Sequence, residues 1–235
     1  MNLVLLLPED LLAPDRALLT GRRLAHVREV HRARVGDDLV VGLLDGPMGR
    51  GRVLRLDEEA LELALTLDQP PPPKLPLTLV IAVPRPKVLN RVVAAATSLG
   101  AARLVLLNAW KVEKAYWASP RMHLDNLRAQ MLLGLEQARD TALPELRLAR
   151  LFRPFVEEEL PALLGGGTGL LAHPGTGEPA PRTLAAPVTL AIGPEGGWVD
   201  AEVQSLLRAG LRPLDLGPRI LRTETALAAL VGRLF

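Results

Sequence analysis

The sequence predicts a mixed α/β protein in two parts: a small β-rich one, then a larger one built on a parallel sheet. Three observations carry this. A run of prolines, QPPPPKLP at 69–76, interrupts the chain once; consecutive prolines favour extended polyproline II and cannot lie within a helix or a central strand. Before it, short apolar runs are separated by Asp-Gly and glycine-rich turns. After it, continuous apolar runs alternate with helical stretches, the pattern of buried parallel strands with helices on both faces. The parts so divided are 1–68 and 77–235, with 69–76 as linker, and both lengths suit a domain.

The opening MNLVLLLPEDLL is apolar until Pro8, Glu9 and Asp10 break it, and reads as a strand. In RRLAHVREVHRARVGD at 22–37, Leu24, Val27 and Val30 recur at helical spacing. Arg22, Arg23, Arg28, Arg32 and Arg34 fall in the same stretch, with Glu29 the one acid between 22 and 34. A solvated helix face is the bland explanation of this patch, and an RNA-phosphate contact surface the sharper one. DDLVVGLLDGPMGRGRVLRL and the alternating ALELALTL complete the β-rich part.

Beyond the prolines, TLVIAV (78–83) is a strand, 87–99 a helix closed by Gly100, and RLVLLN (103–108) the next strand. Ser119-Pro120 is a cap-plus-first-turn signal for a helix running to about Arg139. A shorter helix spans 154–164, and strands follow near 169–173, 188–193 and 212–217. A helix capped by Asp200 runs to Gly210, and a last one fills 223–235.

The chain of 235 residues has no cysteine, which removes disulfides and thiolate metal sites. Its four histidines show no metal-ligand spacing, so no metal is expected. No apolar run is long enough to span a bilayer and no signal-peptide pattern opens the chain, so the expectation is a cytoplasmic protein with no membrane partner. Only four of its 28 basic residues are lysine. Arginine binds phosphate in a planar, bidentate way and stacks on bases, although the chain's richness in Leu, Ala, Gly and Pro also explains the excess as compositional bias.

Three predicted strand ends break on glycine and proline: GLLAHPGTG (169–177), LAIGPEGGW (190–198) and LDLGPRILRTETA (214–226). Ligands of parallel α/β sheets bind at the carboxyl ends of strands. Glycine lets the backbone approach a flat or anionic ligand, and proline fixes the turn. There is no GxxxxGK followed by Ser or Thr, and GGGTG at 165–169 has the wrong spacing for a dinucleotide fingerprint and precedes a strand. No GxSxG elbow exists, and these loops hold neither cysteine nor serine as a nucleophile. What remains is a site of backbone groups, small apolar side chains, Glu195, Glu224, Arg219 and Arg222. It suits an adenine and ribose held through the main chain and a reaction accelerated mainly by positioning. Methyl transfer from a sulfonium donor fits, though composition does not select that donor.

IGPEGG, LGPRILRTET and the His-Pro strand end resemble the cofactor-loop motifs of the RsmE family, SPOUT-superfamily methyltransferases of N3 of a uridine in small-subunit ribosomal RNA. His26, Val30 and Arg32, followed by Val35-Gly36-Asp37 and Asp45-Gly46, are similar to that family's N-terminal barrel, and Ser98-Leu99-Gly100 resembles its Glu-Leu-Gly. The resemblance covers both parts. It implies a PUA-like β-barrel followed by a parallel-sheet SPOUT domain with a C-terminal trefoil knot. It further implies S-adenosylmethionine as methyl donor, 16S rRNA or the assembled small subunit as partner, and a homodimer whose active site is completed across the interface. Carried over residue by residue, Leu171, His173, Ile192, Gly193, Gly196, Gly197, Leu216, Gly217 and Leu221 line the cofactor. Arg219, Arg222 and Glu224 face the methyl group and the base, with Glu195 a second candidate proton acceptor. Arg85 and Lys87 join the arginine patch as RNA contacts.

The chain departs from the family in opening MNLVLLLPE rather than Met-Arg and an aromatic pair, in reading Val30-His31-Arg32 for Val-Leu-Arg, and in carrying Ala95-Ala96-Thr97 for the usual Gln-Lys. The cofactor site thus reads as intact and the RNA surface as partly rewired. Two alternatives stay open: ribose 2′-O methylation on the same fold, and a non-catalytic RNA-binding or ribosome-assembly protein.

Overall fold

The computed structural model describes residues 2–184 and 187–235. Two compact units divide the chain: Met1–Pro73 with Leu132–Leu143, and Lys74–Met131 with Pro144–Phe235.

The first unit is a six-stranded sheet of β1 (Val4–Leu6), β2 (Leu11–Ala13), β3 (Arg16–Leu19), β4 (Asp38–Leu43), β5 (Met48–Leu56) and β6 (Leu61–Gln69), in the order β1-β4-β5-β6-β3-β2. Only β1 and β4 run parallel. The period-2 pattern explains the burial: Leu61, Leu63 and Leu65 of β6 point inward to meet Val4, Leu6, Leu19, Val41 and Val53. The arginine-rich segment is helical from Gly21 through His31, its last turn being of the wide π type, and stops where Arg32 turns left-handed at φ 52°. It is therefore shorter than the 22–37 pattern predicts, and Val30 is exposed rather than part of the apolar stripe.

Leu3 and Leu5 pack under Leu135, Thr141 donates to the carbonyl of Gly46 at 2.6 Å, and Asp45 accepts from the nitrogen of Leu143 at 2.7 Å. These contacts place 132–143 in the first unit, so a single cut at the prolines does not describe the partition. Of 69–76, only Pro70–Lys74 lies outside strands, because β6 runs through Gln69 and the next strand starts at Leu75.

The second unit holds β7 (Leu75–Ala82), β8 (Ala101–Leu107), β9 (Glu145–Ala149), β10 (Thr168–Ala172), β11 (Val188–Ile192) and β12 (Arg212–Leu214), in the order β12-β10-β11-β7-β8-β9. Every pairing in it is parallel. β9 escapes the sequence pattern because it is an edge strand with Glu145 and Arg147 facing solvent. Ser119 caps only the short turn Pro120–Met122, accepting from Arg121 N at 3.3 Å; the long helix starts at Leu124 and ends at Ala138. The helix Asp200–Arg208 is capped not by Asp200 but by Glu202, whose carboxylate accepts from Val199 N at 3.1 Å. Helix Pro86–Ser98 packs against the last helix, Thr223–Leu234. Among the described residues no helix is long and apolar enough to cross a membrane.

Candidate active site

The strand register brings the three glycine loops together. Ala172, the last residue of β10, pairs with Ile192, the last of β11, and with Leu214, the last of β12. The loops therefore leave the sheet side by side. Asp215 fastens two of them: its carboxylate accepts from Gly217 N at 3.0 Å and from Gly177 N at 2.9 Å. Those two backbone bonds, that from Gly217 the stronger, hold the Asp215 carboxyl below its ordinary pKa. Gly217 sits at φ 98°, a conformation that disfavours any side chain.

The middle loop packs on its own tryptophan. A Cβ at Gly193 would lie 3.0 Å from the Trp198 indole nitrogen. Lys111 Nζ donates to the carbonyl of Gly196 at 2.7 Å, and the Glu195 carboxylate accepts from the main-chain nitrogen of Arg85 at 3.0 Å.

The loops enclose a cavity of about 230 Å³. Of the residues that the resemblance assigns to the cofactor, His173, Ile192, Gly193, Gly196, Gly197, Leu216, Gly217 and Leu221 line it. Leu171 does not, being fully buried within β10. Of the four charged candidates, Glu195 and Arg219 line the cavity, whereas Arg222 and Glu224 flank Thr223, which does. Arg222 is exposed at the start of the last helix and has no ion-pair partner among the described residues. Glu224 faces Arg91 at 3.7 Å rather than Arg222.

Sequence reasoning misses Asp215 and Trp198. The Asp-x-Gly spacing of 215–217 is a readable turn signal; the place of the indole has no local signature. Two buried polar atoms on the lining residues, His173 Nδ1 and Trp198 Nε1, have no hydrogen-bond partner among the described residues. An unpaired buried polar group costs about 1–3 kcal/mol, so a ligand offering a hydrogen-bonding edge is favoured there. Much of the rest of the wall, including Ala172, Leu214, Ile220, Ala226 and Leu230, is apolar, and Glu195, Asp215, Arg219 and Thr223 are its further polar members. A flat heterocycle with a polar rim fits both features.

The arginine patch of the first unit is less uniform than its sequence. Arg23 is turned inward, paired with buried Asp10 and donating to the carbonyl of Leu5 at 2.8 Å, so its guanidinium holds the fold. Arg22 makes two bonds to buried Glu136, at 2.8 and 3.0 Å. Arg28 lies 3.7 Å from Glu58, and Arg32 and Arg34 face solvent. Arg85 and Lys87 are exposed in the second unit. His26, with its Nε2 buried and without a hydrogen-bond partner among the described residues, has its pKa lowered by burial first and by neighbouring positive charge, including His31, second.

Residues 71–234 match the RNA methyltransferase domain family. The chain is 31% identical to the ribosomal RNA small subunit methyltransferase E of Treponema pallidum, over 97% of this chain and 88% of the relative. It is 30% identical to the protein of the same name from Synechocystis, over 93% and 72%. Its fold matches the crystal structure of a Neisseria gonorrhoeae ribosomal RNA small subunit methyltransferase E bound to S-adenosyl methionine, with a TM-score of 0.75 over 98% of this chain and 95% of that one, at 22% identity. A likeness that runs nearly end to end takes in the level strand ends, all three loops and the sheet of the first unit, and the chain belongs to the ribosomal RNA small subunit methyltransferase E family.

Proposed function

We propose that this protein methylates N3 of a uridine in 16S rRNA of the small ribosomal subunit, with S-adenosylmethionine as donor. The observation that carries this reading is the cavity where three glycine loops leave strands of equal height. Its apolar walls fit an adenine, and His173 Nδ1 and Trp198 Nε1 offer the unmet polar contacts that a nucleoside supplies. Gly193 leaves room for a ligand only because it has no Cβ to crowd Trp198. Bound there, the donor supplies a methyl group already activated on a sulfonium.

The protein's own residues do the rest. A uridine inside a helix hides N3, so the target base must leave its stack. N3 must lose its proton to become nucleophilic. Glu195 and Arg219 share the cavity wall, which supports a reading in which Glu195 takes that proton, directly or through water, and Arg219 steadies the negative charge on the uracil carbonyl oxygens. Arg222, exposed next to the cavity-lining Thr223 and without an ion-pair partner among the described residues, adds a second positive charge. Glu224, held toward Arg91, positions the start of the last helix. The proton that N3 gives up would then reside on the Glu195 carboxylate.

The same reading makes the first unit a PUA-like barrel that touches RNA through Arg28, Arg32 and Arg34. It gives the second unit a C-terminal knot, supported by bonds between residues 180–184 and the end of the last helix: Thr183 and Leu184 donate to the carbonyls of Arg233 and Leu234, and Arg233 donates to that of Ala180. A homodimer is supported by Ile220, which stands 84% exposed on the cavity rim where a second copy would cover it. A cytoplasmic protein belongs to the same reading, since the proposed substrate is ribosomal RNA.

Titration calorimetry with S-adenosylmethionine and S-adenosylhomocysteine tests the donor; saturable binding of both, lost in Gly193→Trp, is expected. Nucleoside mass spectrometry of 16S rRNA after reaction tests the product. 3-Methyluridine is expected, a ribose-methylated nucleoside would move the target to the 2′-oxygen, and no cofactor binding with or without RNA would overturn the reading.

A further inference from the structure

A second concavity lies on the same edge of the parallel sheet, beyond the carboxyl ends of β8 and β9. It is a broad groove of about 1040 Å³, several times the volume of the cavity between the glycine loops. Its lining contrasts with the composition of the chain. Only seven residues in the sequence are aromatic, yet Trp110, Trp117 and Phe152 all line this groove. Among the basic residues, Lys114, Arg150, Arg153 and Arg208 line it too, against Glu157 and Glu202. Glu157 is taken up by Arg153 at 2.7 Å. Glu202 is buried and accepts from the main-chain nitrogens of Trp110 at 2.7 Å and Val199 at 3.1 Å. Lys114 and Arg150 have no carboxylate partner among the described residues, so the groove carries surplus positive charge.

The two tryptophans are held differently. Trp117 is half-buried, its indole N–H bound to the Asn108 side chain at 2.9 Å, and the Arg150 guanidinium lies 5.1 Å from its ring centre. Trp110 is 81% exposed, while its backbone is fixed by buried Glu202. An anchored backbone carrying a bare ring is a preorganised stacking platform: little ordering remains to be done when a flat partner lands on it. Phe152 at the groove's inner end packs 6.2 Å from Trp198, which lines the other cavity. The groove and the candidate methyl-transfer site therefore adjoin through one aromatic pair.

We infer that this groove binds single-stranded nucleotides of the RNA substrate flanking the target uridine, with one base stacked on Trp110 and phosphates met by Arg150, Arg208 and Lys114. Exposed aromatic faces among unpaired cations are the chemistry of sequence-tolerant binding to single strands. A protein segment would be drawn to the apolar surface but has no use for the surplus charge. The inference rests on RNA being the substrate and adds a subsite to that reading.

The test uses the full-length protein, a fluorescein-labelled single-stranded uridine-rich RNA oligomer, and the variants Trp110→Ala, Trp110→Phe and Arg150→Ala. Loss of one stacked base weakens binding roughly 5- to 100-fold, so Trp110→Ala is expected to weaken RNA affinity by that factor and Trp110→Phe to restore most of it. Arg150→Ala is expected to lower the slope of log affinity against log salt by about 1. S-Adenosylmethionine affinity, measured in parallel, is expected to stay at the wild-type value in all three. Unchanged RNA affinity in Trp110→Ala overturns the inference, and so does a change in sedimentation of that variant, which would make the groove a protein interface. A loss of cofactor affinity in Trp110→Ala also overturns it, since the effect would then run through the fold. Failure of the wild-type protein to bind S-adenosylmethionine would instead sink the methyltransferase reading, while the RNA affinities would still decide the groove.

Discussion

The carboxylate of Glu195 accepts a hydrogen bond at 3.0 Å from the main-chain nitrogen of Arg85, joining the loop after β11 to the loop after β7. One carboxylate oxygen is thereby oriented by the backbone, and the group is aimed before any substrate arrives. Glu195→Gln keeps an acceptor for that amide and removes the base. Single-turnover methylation by this variant is expected to slow by about 10²–10⁴-fold, the usual worth of a general base, with S-adenosylmethionine affinity unchanged by calorimetry. Near-normal turnover would assign the proton to another group.

Asp215 bridges Gly177 and Gly217, so its loss frees two walls of the cavity together. Asp215→Ala is expected to weaken S-adenosylmethionine binding roughly 10-fold, comparable to one hydrogen bond to a charged group, and Asp215→Asn by less. The carboxyl's pKa is lowered in the fold. Its clamp is therefore fully present above the ordinary carboxylate range and is lost only as the pH falls through the lowered value. Cofactor affinity measured across mildly acidic pH should show no step from this group.

Arg23 and Arg32 separate structural arginine from surface arginine. Arg23 is mostly buried against Asp10, and removing one partner of such a pair commonly costs about 3–5 kcal/mol. Chemical denaturation should find Arg23→Ala and Asp10→Ala similarly destabilised. Arg32→Ala should leave the denaturation midpoint in place and weaken RNA binding with a shallower salt dependence.

His26 titrates below its ordinary value of 6.5 because it is buried. Unfolding releases it to take up a proton between the lowered value and 6.5, so stability from this group rises with pH across that window and is level above it. Denaturation midpoints followed from acid to neutral pH should show that rise, and His26→Gln should flatten it.

What is legible in the sequence follows from how local its causes are. The three glycine-proline loops announce themselves because a left-handed turn such as Gly217 or a close approach such as Gly193 demands one residue type whatever surrounds it. The parallel sheet is legible from its continuous apolar runs, except at β9, where an edge position lets Glu145 and Arg147 disguise the strand. The helix from Gly21 ends at Arg32 because the chain turns left-handed there, which a stripe of apolar residues does not reveal. Leu171 follows the motif but is fully buried in β10 and does not line the cavity. The partnership of Glu224 with Arg91, the inward turn of Arg23 and the tilted packing of Phe152 against Trp198 each join residues that are not neighbours in the chain, and no spacing rule reaches them.

The segment Leu132–Leu143 is the last piece of the first unit to leave the ribosome during synthesis, after more than fifty residues of the second unit have already emerged. Until Leu135 arrives, Leu3 and Leu5 have only part of their cover, from Leu44 and Met48, and Arg22 waits for Glu136. Domains ordinarily complete themselves in order from the N-terminus. Here the N-terminal unit must stay unfinished while its neighbour is being made, so a nascent chain stalled at residue 100 would be expected to expose those leucines to chaperones and proteases, and one stalled well beyond residue 143 would not.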